Sequence, residues 1–552
     1  MKKKLQDYLR LWYNLIEKNS SLFVILIVGF GTVLRFSGII FRYYYPLGND
    51  TAHFFRPVLQ MMETGSLNPD DFYYGNLAHY LILISFYILN FIGFNVQKAP
   101  LYYANILAVI AGTLSILFVY FLGKELKDRK TGLLAAFLAA VMPYHLYRSV
   151  FINGDIFGFL FAAIALIYIA KINKTERFSS RHFLLAGIFG GLAASSKYTY
   201  GFVLIFFIIF YLFKSKFIFF RALFKKRFIV HKGIIFCGIA FLLAFVLTSP
   251  YAFINYKTTK SIQDYNMIHF KEGSHSGQNS YADNSLFKFP YARHSYLLIP
   301  LVYYPLGLGM GICLLFALAV IFFLHQFVKH KKINIFILSS LIFILLMYFY
   351  FAPSVIFHVR YLFPLFVFCI ILSALFIKNT ENKYLKLFAI ICIFYNFILV
   401  SSISYSYLIN TRAELDNWLK ENIKQNETIA GYEHPFDKNK TIELAGSGQV
   451  KLAVWKYWLN VKELREQKPD YIILTSKVVE THLMDSTLDP YGQSKDYIQN
   501  LFKGQEGYAL IKEISTNYFS SQIYHFLRRE WGDTYKDESD ESNYFIFKKK
   551  KY

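Results

Sequence analysis

The sequence predicts a polytopic α-helical membrane protein of about eleven transmembrane helices that carries a C-terminal soluble α/β domain. Three observations predict it. Of 552 residues, 55% are hydrophobic, 20% aromatic and only 17% charged, with a mean hydropathy of +0.34, more apolar surface than a soluble chain of this length can cover. The apolar residues fall in runs long enough to cross the ~30 Å hydrocarbon core of a bilayer. After about Ile409 the composition changes sharply, with Asp, Glu, Lys, Asn and Gln throughout. Lys and Arg number 59 against 36 Asp and Glu, a net charge of +23. Cytoplasmic loops of membrane proteins collect such cations, so no nucleic-acid partner is expected. Cys237, Cys313, Cys369 and Cys392 all lie inside apolar runs, which leaves no disulfide framework and no thiolate metal site in prospect.

The elements follow in order. The basic start MKKKLQDYLR leads into an apolar run from Ser21 to Phe41 that lacks a small-residue cleavage site, so it is expected to stay as the first span. Further spans are predicted near Leu101 to Gly123, Thr131 to Tyr147, Ile156 to Lys171, His182 to Ser195 and Gly201 to Phe213. The rest lie near Gly233 to Ser249, Leu298 to Val328, Ile333 to Phe351, Tyr361 to Ile377 and Leu385 to Leu408. Basic clusters mark the cytoplasmic side: the N-terminus, Lys124 to Lys130, Lys171 to Arg181, Lys214 to Lys232, Lys329 to Lys332 and Lys378 to Lys386. If the apolar segment Leu77 to Phe94 also crossed, every later cluster would face outward, against the positive-inside rule. It is therefore expected along the outer interface or as a re-entrant segment. The domains are then a membrane domain over 1–408, with extracytoplasmic loops 42–100 and 250–296, and an extracytoplasmic soluble domain over 409–552. A helix at Arg412 to Lys424 and strands at Tyr471 to Thr475 and Tyr544 to Phe547 are predicted in the latter.

Polar residues gather on the outer side. Asp50 follows the first span and opens an amphipathic stretch ending near Gly65. A carboxylate at a membrane surface can be partly desolvated yet wet enough to accept a proton, as a general base must; a solvated loop Asp is the plainer alternative. Arg148 and Asp155 stand at the mouth of the fourth span, where an Asp can also simply cap the helix. Lys197, in SSKYTYG, either snorkels to the interface or binds a phosphate. His269 and His275, in FKEGSHSGQNS, make a weak metal signal. His358 and Arg360 begin the tenth span, where a guanidinium can grip a phosphate at headgroup depth or anchor the span end. Arg35, near the outer end of the first span, is equally two-sided.

Taken as an ordered set, these residues resemble the GT-C superfamily of membrane glycosyltransferases, specifically the protein O-mannosyltransferase-like branch, glycosyltransferase family 39 and its bacterial and archaeal relatives. The resemblance runs through Asp50, then Gly65, Pro69 and FYYGNLAHYL, then Pro143 and Arg148 before Asp155. It continues through GLAASSKYTYG around Lys197, the Gly-x-His-x-Gly of Gly273, His275 and Gly277, and HVRYLFP from His358 to Pro364. Two features depart from the pattern. Asn49 and Thr51 flank Asp50 where many relatives have a second acid, and the Trp-Trp-Asp of oligosaccharyltransferases is absent, since WKYW at Trp455 to Trp458 carries no Asp.

The resemblance implies an inverting glycosyltransferase of the plasma membrane, acting on its outer side. It would transfer a single hexose or pentose from a polyprenyl-phosphate sugar donor to a hydroxyl of a protein or glycan acceptor. It implies Asp50 as the catalytic base, Lys197 and Arg360 as phosphate contacts with Arg148, His275 and His358 behind them, and Asp155 as a sugar or acceptor ligand. No cofactor and no metal are expected. The rival reading is a transporter or flippase of polyprenyl-linked glycan or lipid, which would spread ionisable groups over several membrane depths instead of gathering them on one face.

Overall fold

The computed structural model describes residues 19–42, 49–174, 179–222, 232–272, 299–330, 334–353, 359–406, 411–424, 427–431, 454–455, 458–459, 461–475, 479, 493–514 and 544–550. Those before Tyr405 form one compact unit and those from Tyr405 onward a second.

The first unit is all helical. Its helices are α1 (Ser20–Arg42), α2 (Asn49–Thr64), α3 (Leu77–Phe91), α4 (Pro100–Leu126), α5 (Arg129–Ala140), α6 (Pro143–Ser149), α7 (Gly154–Lys174), α8 (Ser180–Ser196) and α9 (Phe202–Ala222). They continue as α10 (Lys232–Thr248), α11 (Pro250–Ile254), α12 (Tyr256–Glu272), α13 (Tyr304–Leu308), α14 (Met310–His330), α15 (Ile335–Phe351), α16 (Phe363–Asn379) and α17 (Lys383–Ser406). Six helical stretches are long and apolar enough to cross a membrane, and shorter apolar helices, α3, α10, α15 and α16 among them, accompany them. Large apolar side chains stand exposed along α1, α10, α14 and α17, for example Leu26, Leu242, Ile321 and Ile391. Such a surface suits lipid and not water. At the centre, α16 is buried at every residue from Phe363 to Phe376, the pattern of a helix apolar all round.

Two expected spans are corrected. The third, Thr131 to Tyr147, is interrupted between α5 and α6, where Met142 is extended at φ −85°, ψ 118° ahead of Pro143. Proline clashes with a helical residue before it and donates no N–H, so the chain restarts with proline at the first turn. The eighth, Leu298 to Val328, breaks at Gly309, whose φ of +78° ends α13. Backbone groups freed inside hydrocarbon need partners, and one side chain serves both breaks. Buried Asn396 of α17 donates through Nδ2 to the Leu308 carbonyl at 2.7 Å and the Val141 carbonyl at 3.2 Å, while its Oδ1 accepts from Ile312 N at 3.2 Å.

Arg35 resolves as a structural pin. Its guanidinium donates to the Gly31 carbonyl at 2.7 Å and to His145 Nδ1 at 2.6 Å. An imidazole accepting there carries its proton on Nε2, which faces Ser115 Oγ at 2.7 Å. The chain α1, α6, α4 is thereby tied together without a carboxylate. At the loop between α4 and α5, Asp128 caps α5, accepting from Thr131 N at 2.8 Å, and pairs with Lys378 at 3.1 Å. Partial burial pushes its carboxyl up, but the hydrogen bonds from Thr131 and the Lys378 cation outweigh that and hold it below the usual range.

The second unit is α/β. Its sheet orders β1 (Ile429–Gly431), β4 (Tyr471–Thr475), β6 (Tyr544–Lys549) and β5 (Tyr508–Ile514) side by side. The first pair is parallel and the others antiparallel. A separate hairpin pairs β2 (Val454–Trp455) with β3 (Trp458–Leu459). All five residues of β4 are buried, because both faces of the sheet are covered. Ile472 and Leu474 meet the helices Val461–Gln467 and Gln493–Phe502, while Tyr471 and Ile473 meet Thr411–Asn422.

Candidate active site

Asp155, Lys197 and Arg148 are brought together from three chain segments. Asn153 caps α7: its Oδ1 accepts from Ile156 N at 3.1 Å, and its amide donates to the Arg148 carbonyl at 2.7 Å. Asp155, in the first turn of α7, is thus relieved of capping and turns its carboxylate to two cations. Lys197 ends α8 in extended conformation, and its Nζ donates to both carboxylate oxygens, at 2.9 and 2.8 Å. Arg148 Nη2 stands 3.2 Å from Oδ2. All three side chains are buried, where an ion pair persists only with good geometry and further hydrogen bonds. Arg148 has these: its Nε donates to Tyr144 Oη at 3.0 Å, and the rings of Tyr144, Tyr147 and Phe151 surround the guanidinium within 5.8 Å. The segments meet closely because glycine permits it. A Cβ at Gly154 would come 2.4 Å from the Ser196 carbonyl oxygen, and one at Gly75 would come 2.1 Å from that of Ser195.

The segment that runs from α2 into α3 lies against this cluster. Lys197 Nζ sits 5.4 Å from the Tyr74 ring centre. Tyr74 stacks on Phe54 of α2 at 5.1 Å, and Phe54 stacks on His79 of α3 at 5.4 Å. Asp50 occupies the first turn of α2, and its side chain lies outside the described ones. The helix ends at Thr64, with Gly65 at φ +69°, where the amphipathic stretch was expected to stop. One turn on from Asp50, His53 Nδ1 donates to Asp71 Oδ2 at 2.5 Å, a pair that sequence reasoning missed.

Arg360 stands in the short turn Val359–Tyr361 just before α16, half-buried, with its guanidinium 5.7 Å from the Tyr361 ring. Phe363 of the same helix packs edge-on against Tyr144, which holds Arg148. His275 and His358 lie outside the described residues, as does the side chain of His269. Among the described residues no three His, Cys, Asp or Glu side chains converge on a metal-sized site.

Residues 77–254 match the family model described as dolichyl-phosphate-mannose-protein mannosyltransferase, a stretch that holds Arg148, Asp155 and Lys197. The structure resembles the oligosaccharyltransferase of Archaeoglobus fulgidus in its complex with Zn and sulfate, with a TM-score of 0.50 and 13% identity over 96% of this chain and 88% of that one. Two further likenesses are the same organism's enzyme AglB bound to an inhibitory peptide and a dolichol-phosphate (0.49, 13%, 97% and 89%) and apo ArnT from Cupriavidus metallidurans (0.49, 10%, 96% and 98%). No curated protein matches the chain significantly. Identities this low speak for the fold alone. Within a chain whose helices are long and apolar enough to cross a membrane, residues 77–254 are thus similar to the dolichyl-phosphate-mannose-protein mannosyltransferase family, and the fold as a whole is similar to that of the Archaeoglobus fulgidus oligosaccharyltransferase.

Proposed function

We propose that the protein is an inverting glycosyltransferase of the plasma membrane, moving a single sugar from a polyprenyl-phosphate donor to an acceptor hydroxyl on the outer side. The observation that carries this is the meeting of Lys197 and Arg148 on one carboxylate, inside the segment matched to a family named for a polyprenyl-phosphate sugar, beside the loop helix that bears Asp50. Asp50 takes the acceptor proton, and the hydroxyl oxygen attacks the anomeric carbon. The bond from that carbon to the phosphate oxygen breaks, and polyprenyl phosphate leaves with the electron pair. Orientation and cations around the departing phosphate lower the barrier. Lys197 and Arg360 are assigned to the phosphate, with Arg148, His275 and His358 behind them. Asp155, expected as a sugar or acceptor ligand, is engaged by two cations, so its proposed part becomes holding Lys197 and Arg148 in place.

Donor titration tests the assignment. Across a panel of polyprenyl-phosphate sugars, one should saturate the wild-type protein and support sugar release. Arg360→Lys, which keeps the charge but loses the planar fork, should bind that donor more weakly, as should Lys197→Ala. Unchanged curves for both variants would return these residues to structure. The sidedness has its own check: in intact cells an impermeant thiol reagent should modify Asn439→Cys but not Lys331→Cys. Labelling of position 331 alone would reverse the topology.

A further inference from the structure

The pair formed by His53 and Asp71 is not absorbed by the assignments above. His53 follows Asp50 by three residues on α2, so the two positions share a helix face with Cβ atoms about 5–6 Å apart. Asp71 is fixed on both oxygens: Oδ2 accepts from His53 Nδ1 at 2.5 Å and Oδ1 accepts from Tyr73 N at 3.1 Å. The carbonyl of His53 is itself held, accepting from His79 Nε2 at 2.8 Å. Both side chains remain reachable, 31% exposed for His53 and 12% for Asp71. Aromatic rings flank the imidazole, Tyr73 at 4.6 Å and Tyr74 at 6.2 Å, the latter also touching Lys197. The pair is therefore three residues from the base position along α2 and shares the Tyr74 ring with Lys197.

We propose that His53 and Asp71 form the hydrogen-bonding site for the acceptor hydroxyl, whose single O–H hydrogen is held by His53 Nε2 in the bound complex, without proton transfer, and turns to Asp50, which takes the proton as the oxygen attacks; this rests on the glycosyl-transfer reading of the site. A carboxylate facing Nδ1 keeps the ring proton there, which leaves Nε2 in its accepting form. The negative charge of Asp71 opposes a phosphate but not a neutral hydroxyl, so the pair suits the acceptor and not the donor. The flanking tyrosine rings offer the apolar walls against which a hydroxylated side chain or a sugar face can lie. His53 touches the reacting hydroxyl, and Asp71 is a positioning residue that sets the tautomer.

Two variants separate this from a loop-holding ion pair. His53→Phe keeps the ring packing and removes both nitrogens. Asp71→Asn keeps the shape, and its amide donates to Nδ1, which drives the ring proton to Nε2 and turns an acceptor into a donor. With the full-length protein and its saturating donor, the probes are a threonine-containing peptide and octyl glucoside, which tell a protein hydroxyl from a sugar hydroxyl. The KM for whichever probe is glycosylated should rise about tenfold in both variants, the effect of one lost hydrogen bond. Affinity for undecaprenyl phosphate, measured by titration, should stay at the wild-type value. An unchanged acceptor KM in folded Asp71→Asn overturns the proposal, and so does a loss confined to donor affinity. Wild-type protein that transfers sugar to water but whose rate responds to neither probe also overturns it, whereas no sugar release from any donor ends the glycosyl-transfer reading itself.

Discussion

Asp50→Asn protein, folded and saturated with donor, is expected to turn over roughly 10² to 10⁴ times more slowly than wild type, the usual worth of general-base assistance. The substitution is nearly isosteric, so α2, which begins at Asn49, should form as before. Asparagine can still accept a hydrogen bond from the hydroxyl but cannot carry its proton away. Donor binding should survive, since the cations assigned to the phosphate belong to other segments, Lys197 at the end of α8 and Arg360 before α16. The comparison that reads the effect is single-turnover rate against donor affinity in the same preparation. A large fall in rate at constant affinity is the signature of an interaction made only in the transition state. Wild-type turnover in the variant would remove Asp50 from the mechanism.

The second large effect is expected at Asp155. Asp155→Asn leaves Lys197 and Arg148 buried without the carboxylate they share at 2.8–3.2 Å. Removing one partner of a buried pair costs about 3–5 kcal/mol, because a charge stays behind in a poorly solvated place. Thermal unfolding in detergent should show a clear drop in midpoint. The double variant Asp155→Asn with Lys197→Met removes one stranded cation and should recover part of that loss, a coupling that independent sites would not show. Equal midpoints for wild type and Asp155→Asn would mean the pair adds nothing to the folded state. Donor affinity should also fall in Asp155→Asn, because the two cations lose the group that orients them.

The membrane part of the fold was legible because lipid imposes a simple rule: among the described residues each expected span is mostly helical, and its apolar run marks it. What escaped was where helices stop inside such runs. Val141 and Met142 are apolar and extend the pattern across the break ahead of Pro143. Gly309 sits in an apolar run from Leu298 to Val328 that, at 1.5 Å per residue, would be far longer than a ~30 Å core; that excess length was the available signal. The clamp from Asn396 joins groups more than eighty residues apart, which no periodicity records. In the second unit, β4 appears at Tyr471–Thr475 as expected, and β6 runs two residues beyond Phe547.

At the site, residue types were readable and pairings were not. Asp155 could cap α7 or meet a cation, and the choice turned on Asn153, two residues earlier, which takes the cap. Lys197 could snorkel or bind phosphate, and its Nζ reaches back into the protein to Asp155. The pairing of His53 with Asp71 joins residues eighteen apart, from the first turns of α2 to the chain beyond its end at Thr64. Its only sequence trace is the helical spacing of His53 from Asp50, and nothing local singles out Asp71 from Asp70 beside it.

Transfer of one sugar from a polyprenyl phosphate with inversion leaves its record in the anomeric configuration of the product. Purified protein should be given an anomerically defined polyprenyl-phosphate sugar and the glycosylated peptide or glycoside followed by NMR. Equimolar release of polyprenyl phosphate and a product of opposite anomeric configuration to the donor are expected. A product that retains the donor's configuration, or sugar moved together with its phosphate, would contradict such a transfer.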